Sequence, residues 1–448
     1  MKVEFQVDVR KLIERGDLKT LKLLLQDQSP GRVLDMIEEL DTTEKVVIFR
    51  LLPQETAAEV FAQLEPDEQL EIIESLKSDV TLRNIIGGME PSDRAELLDE
   101  MPPQVVQALL ELMTPEERRE TLEILNYPEN SAGRLLNPRF IGVSEDTIVQ
   151  DALKKVRQKG KSVATIDTIF VVNGDGRLTG TVDLRDLITA PDELTVSEIA
   201  NREPVYVLTT DDQEDVALLM KRHELYAVPV VDASRRLVGV VTLDDVVHII
   251  EEEATEDIQK MAGVNATYTS YFHTTMTTFF GKRFPWLAIL LLLESMNSFV
   301  VSRFEALISA VPILAAFMTI MVGTGGNAGA QISALIIRGM ALGELKMKDW
   351  LRVFWREVLM GTILGASLGG LLFARAFFIT NNILVNITAS LALFLVIVYS
   401  NVLGTILPFL GRLLKIDPAV MAGPVITTIV DVSGMLIYFV VAHELLGI

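Results

Sequence analysis

The 448-residue sequence contains no cysteine, which excludes disulfides, thiolate nucleophiles and zinc–sulfur sites. Histidine is scarce too, with four in the chain. No His-Glu-x-x-His motif, phosphate-binding glycine loop or Ser/His/Asp arrangement can be read along it, so an enzyme would lack its usual catalytic parts. Soft or borderline metal ions prefer thiolate and imidazole, yet His273 and His443 fall at or beyond the ends of apolar segments and methionine is scattered. Positive charge is short as well: 40 Lys+Arg stand against 61 Asp+Glu, a net charge of −21. Such a balance repels nucleic-acid phosphates and attracts cations. The opening stretch, Met1–Thr20, has no apolar run of the kind a secretory signal needs, so the soluble part is expected to stay where it is made.

The charge is unevenly spread. Residues 1–257 hold 28 Lys+Arg and 53 Asp+Glu, whereas residues 258–448 hold 12 and 8 and most of the long apolar runs. An acidic soluble body is therefore followed by a membrane body. Within residues 1–136 the turns LLPQE, LEPDE, MEPSD, MPPQV and MTPEE recur, around Pro53, Pro66, Pro91, Pro102–Pro103 and Pro115. Proline at the first helical position followed by acids starts a helix well. At roughly 12 residues each, such helices cannot bury an apolar face alone, and the expectation is an all-α superhelical stack.

Residues 137–250 contain a duplication. IFVVNGDGRLTGTVDLRDLI (169–188) aligns with VPVVDASRRLVGVVTLDDVV (228–247) at a constant offset of 59. Each copy reads helix, apolar strand, turn, apolar strand, helix, an α/β module. The pair resembles tandem CBS domains, which implies a sensor module and, often, an adenine-nucleotide site. The corresponding Gly-x-x-Thr-x-x-Asp motif is complete in the second copy as Gly239, Thr242 and Asp245. In the first copy Asp183 replaces the threonine, while Arg185 and Asp186 remain. Those two are the residues expected for ATP as a regulatory ligand, against the plainer reading that Asp186 and Asp245 cap helices.

Residues 251–283 form a polar connector, expected to be helical. Beyond it, five apolar segments lie near 285–301, 311–337, 358–379, 387–410 and 419–442, each long enough to cross a bilayer. Lys282, Arg283, Arg338, Lys346, Lys348, Arg352, Arg356, Arg412 and Lys415 flank them on the side of the soluble body, against Arg303 and Arg375 opposite. Cationic flanks remain inside, so the N-terminus is expected in the cytosol and the C-terminus outside. Trp286, Trp350 and Trp355 fall at the cytosolic boundary, where an aromatic belt belongs.

The last segment holds one ionisable side chain, Asp431, near its centre. A carboxylate at that depth costs roughly 2.5–3.5 kcal/mol on insertion scales and should face protein or water with a partner. No Lys or Arg lies at comparable depth, which leaves a cation as its counterpart, or a retained proton and a bond to a neighbouring helix. Thr427 and Thr428 precede it by four and three residues, on the same face. In the second segment, GTGGNAGAQ (323–331) combines Gly325, Gly326 and Gly329, which allow close helix approach, with Asn327 and Gln331, which offer oxygen at depth. Mg²⁺ takes oxygen ligands and sheds water reluctantly, and such a lining suits a hydrated ion; simple small-residue packing is the alternative. Gly361, Gly365 and Gly369 read as packing. Glu294 is divided between facing a pore and pairing with Asn297.

The chain resembles the MgtE family of magnesium channels along its whole length. The resemblance is carried by YPENSAGRLL (127–136), the CBS pair, EEEATED (251–257), GGNAGAQ with RGMALGEL (338–345), and DPAVMAGPVITTIVDVSG (417–434). Asn130, Thr319–Ile320 and His248 depart from the family pattern. The resemblance implies four parts: a helical N domain (1–136), the CBS pair (137–250), a connecting plug helix (251–283) and a five-helix membrane domain (284–448). It also implies a homodimer with a pore on the two-fold axis, lined by Gly325, Gly326, Asn327, Thr427 and Thr428, with Asp431 binding Mg²⁺. Glu59, Asp93, Glu96, Glu214, Glu224, Asp245, Glu253, Glu256, Asp257 and Asp417 correspond to or adjoin its acidic sensor positions. Bridging of these acids by cytosolic Mg²⁺ would close the pore. The competing expectation is a secondary transporter of another divalent cation such as Co²⁺, with nucleotide sensing by the CBS pair.

Overall fold

The computed structural model describes residues 9–76, 80–265 and 274–448. The first eight residues, and residues 266–273 of the connector with His273, lie outside the described residues. The chain divides into two compact units, Met1–Ile250 and Glu251–Ile448.

After a helical stretch over residues 9–14, nine short helices follow among the described residues of the first unit: α1 Leu18–Gln26, α2 Pro30–Ile37, α3 Thr42–Leu51, α4 Gln54–Ala62, α5 Pro66–Leu76, α6 Val80–Gly88, α7 Pro91–Glu100, α8 Pro103–Leu112 and α9 Pro115–Leu125. Proline stands in the first turn of α2, α7, α8 and α9, where its missing N–H is harmless and its fixed φ favours the helix. Capping boxes at Asp41 and Thr114 start α3 and α9. Helices pack on the one two ahead: α1 on α3, α2 on α4, α3 on α5, α4 on α6, α6 on α8 and α7 on α9. That is the expected superhelical stack. Its core runs continuously from Val9 through Phe49, Phe61 and Ile86 to Met113.

Each CBS module contains a three-stranded sheet. In the first, β1 (Gly142–Ser144) runs parallel to β2 (Thr168–Val172), which pairs antiparallel with β3 (Leu178–Asp183). In the second, β4 (Val207–Leu208), β5 (Ala227–Val231) and β6 (Leu237–Thr242) repeat the order. The short leading strands add to the sequence expectation. Register shifts fall at Val171/Val172 and Val230/Val231, so the offset of 59 extends to the bulge. The copies exchange their leading segments, because Asn137 bridges to Val240 and Asn201 to Thr181.

The end of the helical stack is built into the second module. Ala95 and Ile124 share one core with Val216, Val228 and Val246. Fully buried Arg94 donates to Thr121 and to the Met89 carbonyl and pairs with Glu120, which also meets Arg139. A buried guanidinium needs this full set of acceptors. Two further helices matter below, α10 (Gln213–His223) and α11 (Leu243–Met261). The latter begins in the second CBS module and runs unbroken through residue 250, where the sequence placed a boundary; nothing there breaks the helical period.

Among the described residues of the second unit, five helices are long and apolar enough to cross a membrane: Met276–Arg303, Leu314–Ala341, Met347–Ala376, Ile383–Leu413 and Pro418–Leu446. The first is interrupted at Ser295, dividing Met276–Glu294 from Met296–Arg303, and buries no residue against its own chain. Gly361, Gly365 and Gly369 form the seam between the third and fourth spans. A Cβ on them would lie 2.9 Å from Asn401 Nδ2, the Phe394 carbonyl oxygen and the Ser390 carbonyl oxygen respectively. Gly365→Leu should therefore force the two spans apart, costing about 1–3 kcal/mol. Its thermal unfolding in detergent should fall by several degrees; an unchanged midpoint would show that the seam does not need the close approach.

Candidate functional site

Acids gather where the helical stack meets the second CBS module. Glu59 belongs to α4, Glu90 immediately precedes α7, Asp93 and Glu96 lie on α7, and Asp244 and Asp245 open α11. Desolvation raises Asp93 to about 7, reinforced by Glu90, Asp245 and Glu96. Asp245 is raised to about 6, by burial first; bonds from Thr242 work against this, while Asp244 and Glu90 add to it. Thr242 donates its hydroxyl at 2.7 Å and its backbone N–H at 3.1 Å to Asp245 Oδ2. This is the capping role considered for that carboxylate, performed beside other acids. Glu59 is raised by desolvation and by Glu55, Glu90 and Asp244. Glu90 is likewise raised by desolvation, although it accepts from Asn137 Nδ2 at 2.8 Å.

Four sequence-expected residues (Glu59, Asp93, Glu96, Asp245) thus come together with two that sequence reasoning missed, Glu90 and Asp244. Their signal was present: Glu90 lies in the repeated turn MEPSD, and Asp244 adjoins Asp245. Glu214 and Glu224 bracket α10, at its first turn and its C-cap, where Glu224 is exposed in the left-handed region at φ 53°. In the first CBS module Arg185 and Asp186 are both exposed, free for a phosphate and a ribose, but Asp183 offers no hydroxyl.

A second acidic group lies at the end of α11. Glu256 and Asp257 approach Asp417, which precedes the last span and caps the short turn Pro418–Met421. Asp257 is raised to about 6 by desolvation and by Asp417, with Lys260 opposing. The sequence reading of this acidic face did not include its counter-ion. Lys260 donates to Asp417 Oδ2 at 2.6 Å and pairs with Glu256. Its spacing of four from Glu256 was the available signal. Burial disfavours its charge, but the bonds to Asp417 and Glu256 outweigh this and raise its pKa. Half-buried Glu253 stands one turn earlier. Among the described residues no three His, Cys, Asp or Glu side chains already form a metal-ligand set; the acids adjoin one another without converging.

In the membrane unit, Asp431 is half-buried on the last span. A Cβ on Gly326 would lie 3.3 Å from Asp431 Oδ1 and 3.4 Å from Thr427 Cγ2, so the glycine lets the second span lie against that carboxylate. Gly323, Asn327, Gln331 and Leu335 repeat every four residues on one exposed stripe of the second span. Two expected pore-lining residues turn inward instead. Gly325 packs against Val396, Val430 and Ser400. Thr428 is buried, with its hydroxyl donating to the Pro424 carbonyl at 2.8 Å; three residues before Asp431, it falls on the buried edge of the helix. Both halves of the first span pack on the last, and Glu294, at the helix break, is within electrostatic range of Asp431.

Five apolar helices, preceded by an acidic helical stack and a CBS pair, define a multi-pass membrane protein. Family models match in three regions: the MgtE intracellular N domain over 28–130, CBS domains over 132–193 and 196–252, and a divalent cation transporter domain, MgtE, over 318–441. The magnesium transporter MgtE of Thermus thermophilus is 37% identical, covering 100% of this chain and 99% of that protein. Its namesake in Bacillus subtilis is 31% identical, covering 94% and 95%. A crystal structure of the cytosolic domain of the Mg²⁺ channel MgtE in complex with ATP is 36% identical, with a TM-score of 0.53, covering 55% of this chain and 99% of that one. The chain belongs to the MgtE family, a family of transporters and not of enzymes.

The raised acids make the first unit sensitive to pH. A carboxyl group with a higher pKa folded than unfolded binds more protons when folded, so stability falls as pH rises between the two values. For Asp93 that window runs from near 4 to about 7. Without divalent cations, Asp93→Asn should unfold at a higher temperature than wild type, by about 1–4 °C, with the gap widening from pH 5 to pH 7. A gap independent of pH would contradict the burial of this acid.

Proposed function

We propose that this chain conducts Mg²⁺ through the cell membrane as a homodimer and is closed by Mg²⁺ on its cytosolic side. The four functional parts are the N domain (1–136), the CBS pair (137–250), the connecting helix (251–283) and the membrane domain (284–448). The N-terminus is cytosolic and the C-terminus extracytosolic, consistent with the cationic flanks. The names of the relatives support magnesium as the ion.

One observation carries the proposal. A half-buried carboxylate, Asp431, stands in the membrane beside the close approach at Gly326, with no Lys or Arg at its depth. A second copy facing the exposed stripe of Asn327 and Gln331 would enclose a path lined by carboxylate and amide oxygen. Mg²⁺ keeps much of its water, and such a path would bind it through that water as well as directly. A negative-inside potential draws the ion inward at about 2.3 kcal/mol per charge per 100 mV.

The two acidic groups are the regulatory half of the proposal. Glu59, Glu90, Asp93, Glu96, Asp244 and Asp245 supply hard oxygen donors whose charges oppose one another. Glu256, Asp257 and Asp417, with Glu253 nearby, do the same at the connecting helix. Mg²⁺ held within each group would favour that group's packed arrangement, while its loss would restore the repulsion and open the path. We assign Glu214 and Glu224 to the same regulatory set. ATP is proposed as a modulating ligand at Arg185 and Asp186, in keeping with the ATP complex of the related cytosolic domain.

Flux into proteoliposomes tests this. Wild type should carry Mg²⁺, and Asp431→Ala should reduce that flux by at least about tenfold, the scale of one interaction worth about 1.4 kcal/mol. Flux of Co²⁺ but not Mg²⁺, or a fully active Asp431→Ala, would overturn the proposal.

A further inference from the structure

The acidic group at the end of α11 contains a cation of its own. Lys260 Nζ lies 2.6 Å from Asp417 Oδ2 and also pairs with Glu256, with side-chain exposures of 24% for Lys260 and 16% for Glu256. The ammonium is therefore held between two elements, not extended into solvent. Its backbone is anchored as well: Met261 packs with Ile337, Ala419 and Ala422, and Gly263, at φ +71°, lies against Pro424. Asp257 adjoins the same group. Three carboxylates and one ammonium leave a net −2 when all are ionised, the charge that one divalent ion neutralises.

We propose that Lys260 is a tethered competitor of the divalent cation at Glu256, Asp257 and Asp417, and so sets the Mg²⁺ concentration at which the connecting helix responds. The proposal deepens the sensor reading above and rests on it. Two physical effects act together. An oxygen lone pair that accepts from the ammonium is not available to a metal. A fixed positive charge also opposes entry of a doubly charged ion, and in this sheltered setting the repulsion is screened less than in water. Lysine suits the role because its ammonium is a compact charge on a flexible stem and can withdraw into solvent. An arginine there would hold a carboxylate with a rigid fork. When Mg²⁺ is scarce the ammonium still holds Glu256 to Asp417, which keeps this group from separating fully.

The test uses the full-length protein in proteoliposomes, with inhibition of flux by Mg²⁺ on the cytosolic side normalised to each variant's own uninhibited flux. Lys260→Met should lower the half-inhibiting Mg²⁺ concentration by about tenfold, while Lys260→Arg should leave it unchanged or raise it. Glu256→Ala with Asp257→Ala, measured in parallel, should raise it. An unmoved double variant would mean that the sensor reading itself fails. If the double variant behaves as expected but Lys260→Met leaves the value unchanged or raises it, the competitor role is overturned and Lys260 is only a latch. Should Lys260→Met not fold, Lys260→Gln is measured the same way. Protection of the connecting helix from protease, titrated with Mg²⁺ in detergent, gives a readout independent of flux; the same shift is expected there, and its absence contradicts the proposal.

Discussion

Like charges brought close in a sheltered place set the constraint on which this molecule depends. Packing the helical stack against the second CBS module brings Asp93 and Asp245 together with Glu59, Glu90, Glu96 and Asp244. Apolar burial holds that junction, with Ala95 and Ile124 in the core of the CBS module, so the acids are forced together by contacts that are not their own. The cost is relieved by a proton or by a cation. A proton relieves one carboxyl at a time, as the raised values of Asp93 and Asp245 show, whereas a divalent ion can bridge several. A fold that is stable by its apolar contacts and opposed by its charges is suited to answer to ion concentration.

The same logic recurs twice with different solutions. At the end of α11 the acids receive a covalently attached counter-ion, Lys260. In the membrane, Asp431 has no cationic side chain at its depth and is met by the close approach of Gly326 instead. The close approach at Gly326 brings the second span to the carboxylate, and Gly325 on the next position locks the helix against the fourth and fifth spans. One glycine frames the site and its neighbour fixes the frame.

Much of the architecture is legible in the sequence because it follows from local rules. The proline-led turns announce the starts of α4, α5, α7, α8 and α9, since proline at a helix start needs no tertiary partner. The repeat at an offset of 59 announces two equivalent sheets, and even their bulges coincide. The apolar segments announce five spans, although each helix runs past its segment at one end or both, because polar residues at a membrane boundary are no less helical. What was not legible depends on packing between distant elements. Glu90 and Asp244 join the acidic face only because α7 docks on the second module. Gly325 turns inward because Val396 and Ser400 of the fourth span lie against it. The break at Ser295 carries no proline or glycine signal, and α11 crosses an expected boundary because composition changes there while helical periodicity does not.

On the proposed function, a divalent cation that enters these facing acids displaces the protons they retain below neutral pH. Calorimetric titration of the full-length protein with Mg²⁺, in buffers of different ionisation enthalpy, measures the protons released on binding. With Asp93 at about 7 and Asp245 and Asp257 at about 6, binding at pH 6 should release protons, and the number should fall towards zero by about pH 8.5. Saturable binding that releases none at pH 6, or no saturable binding at either pH, would contradict the account.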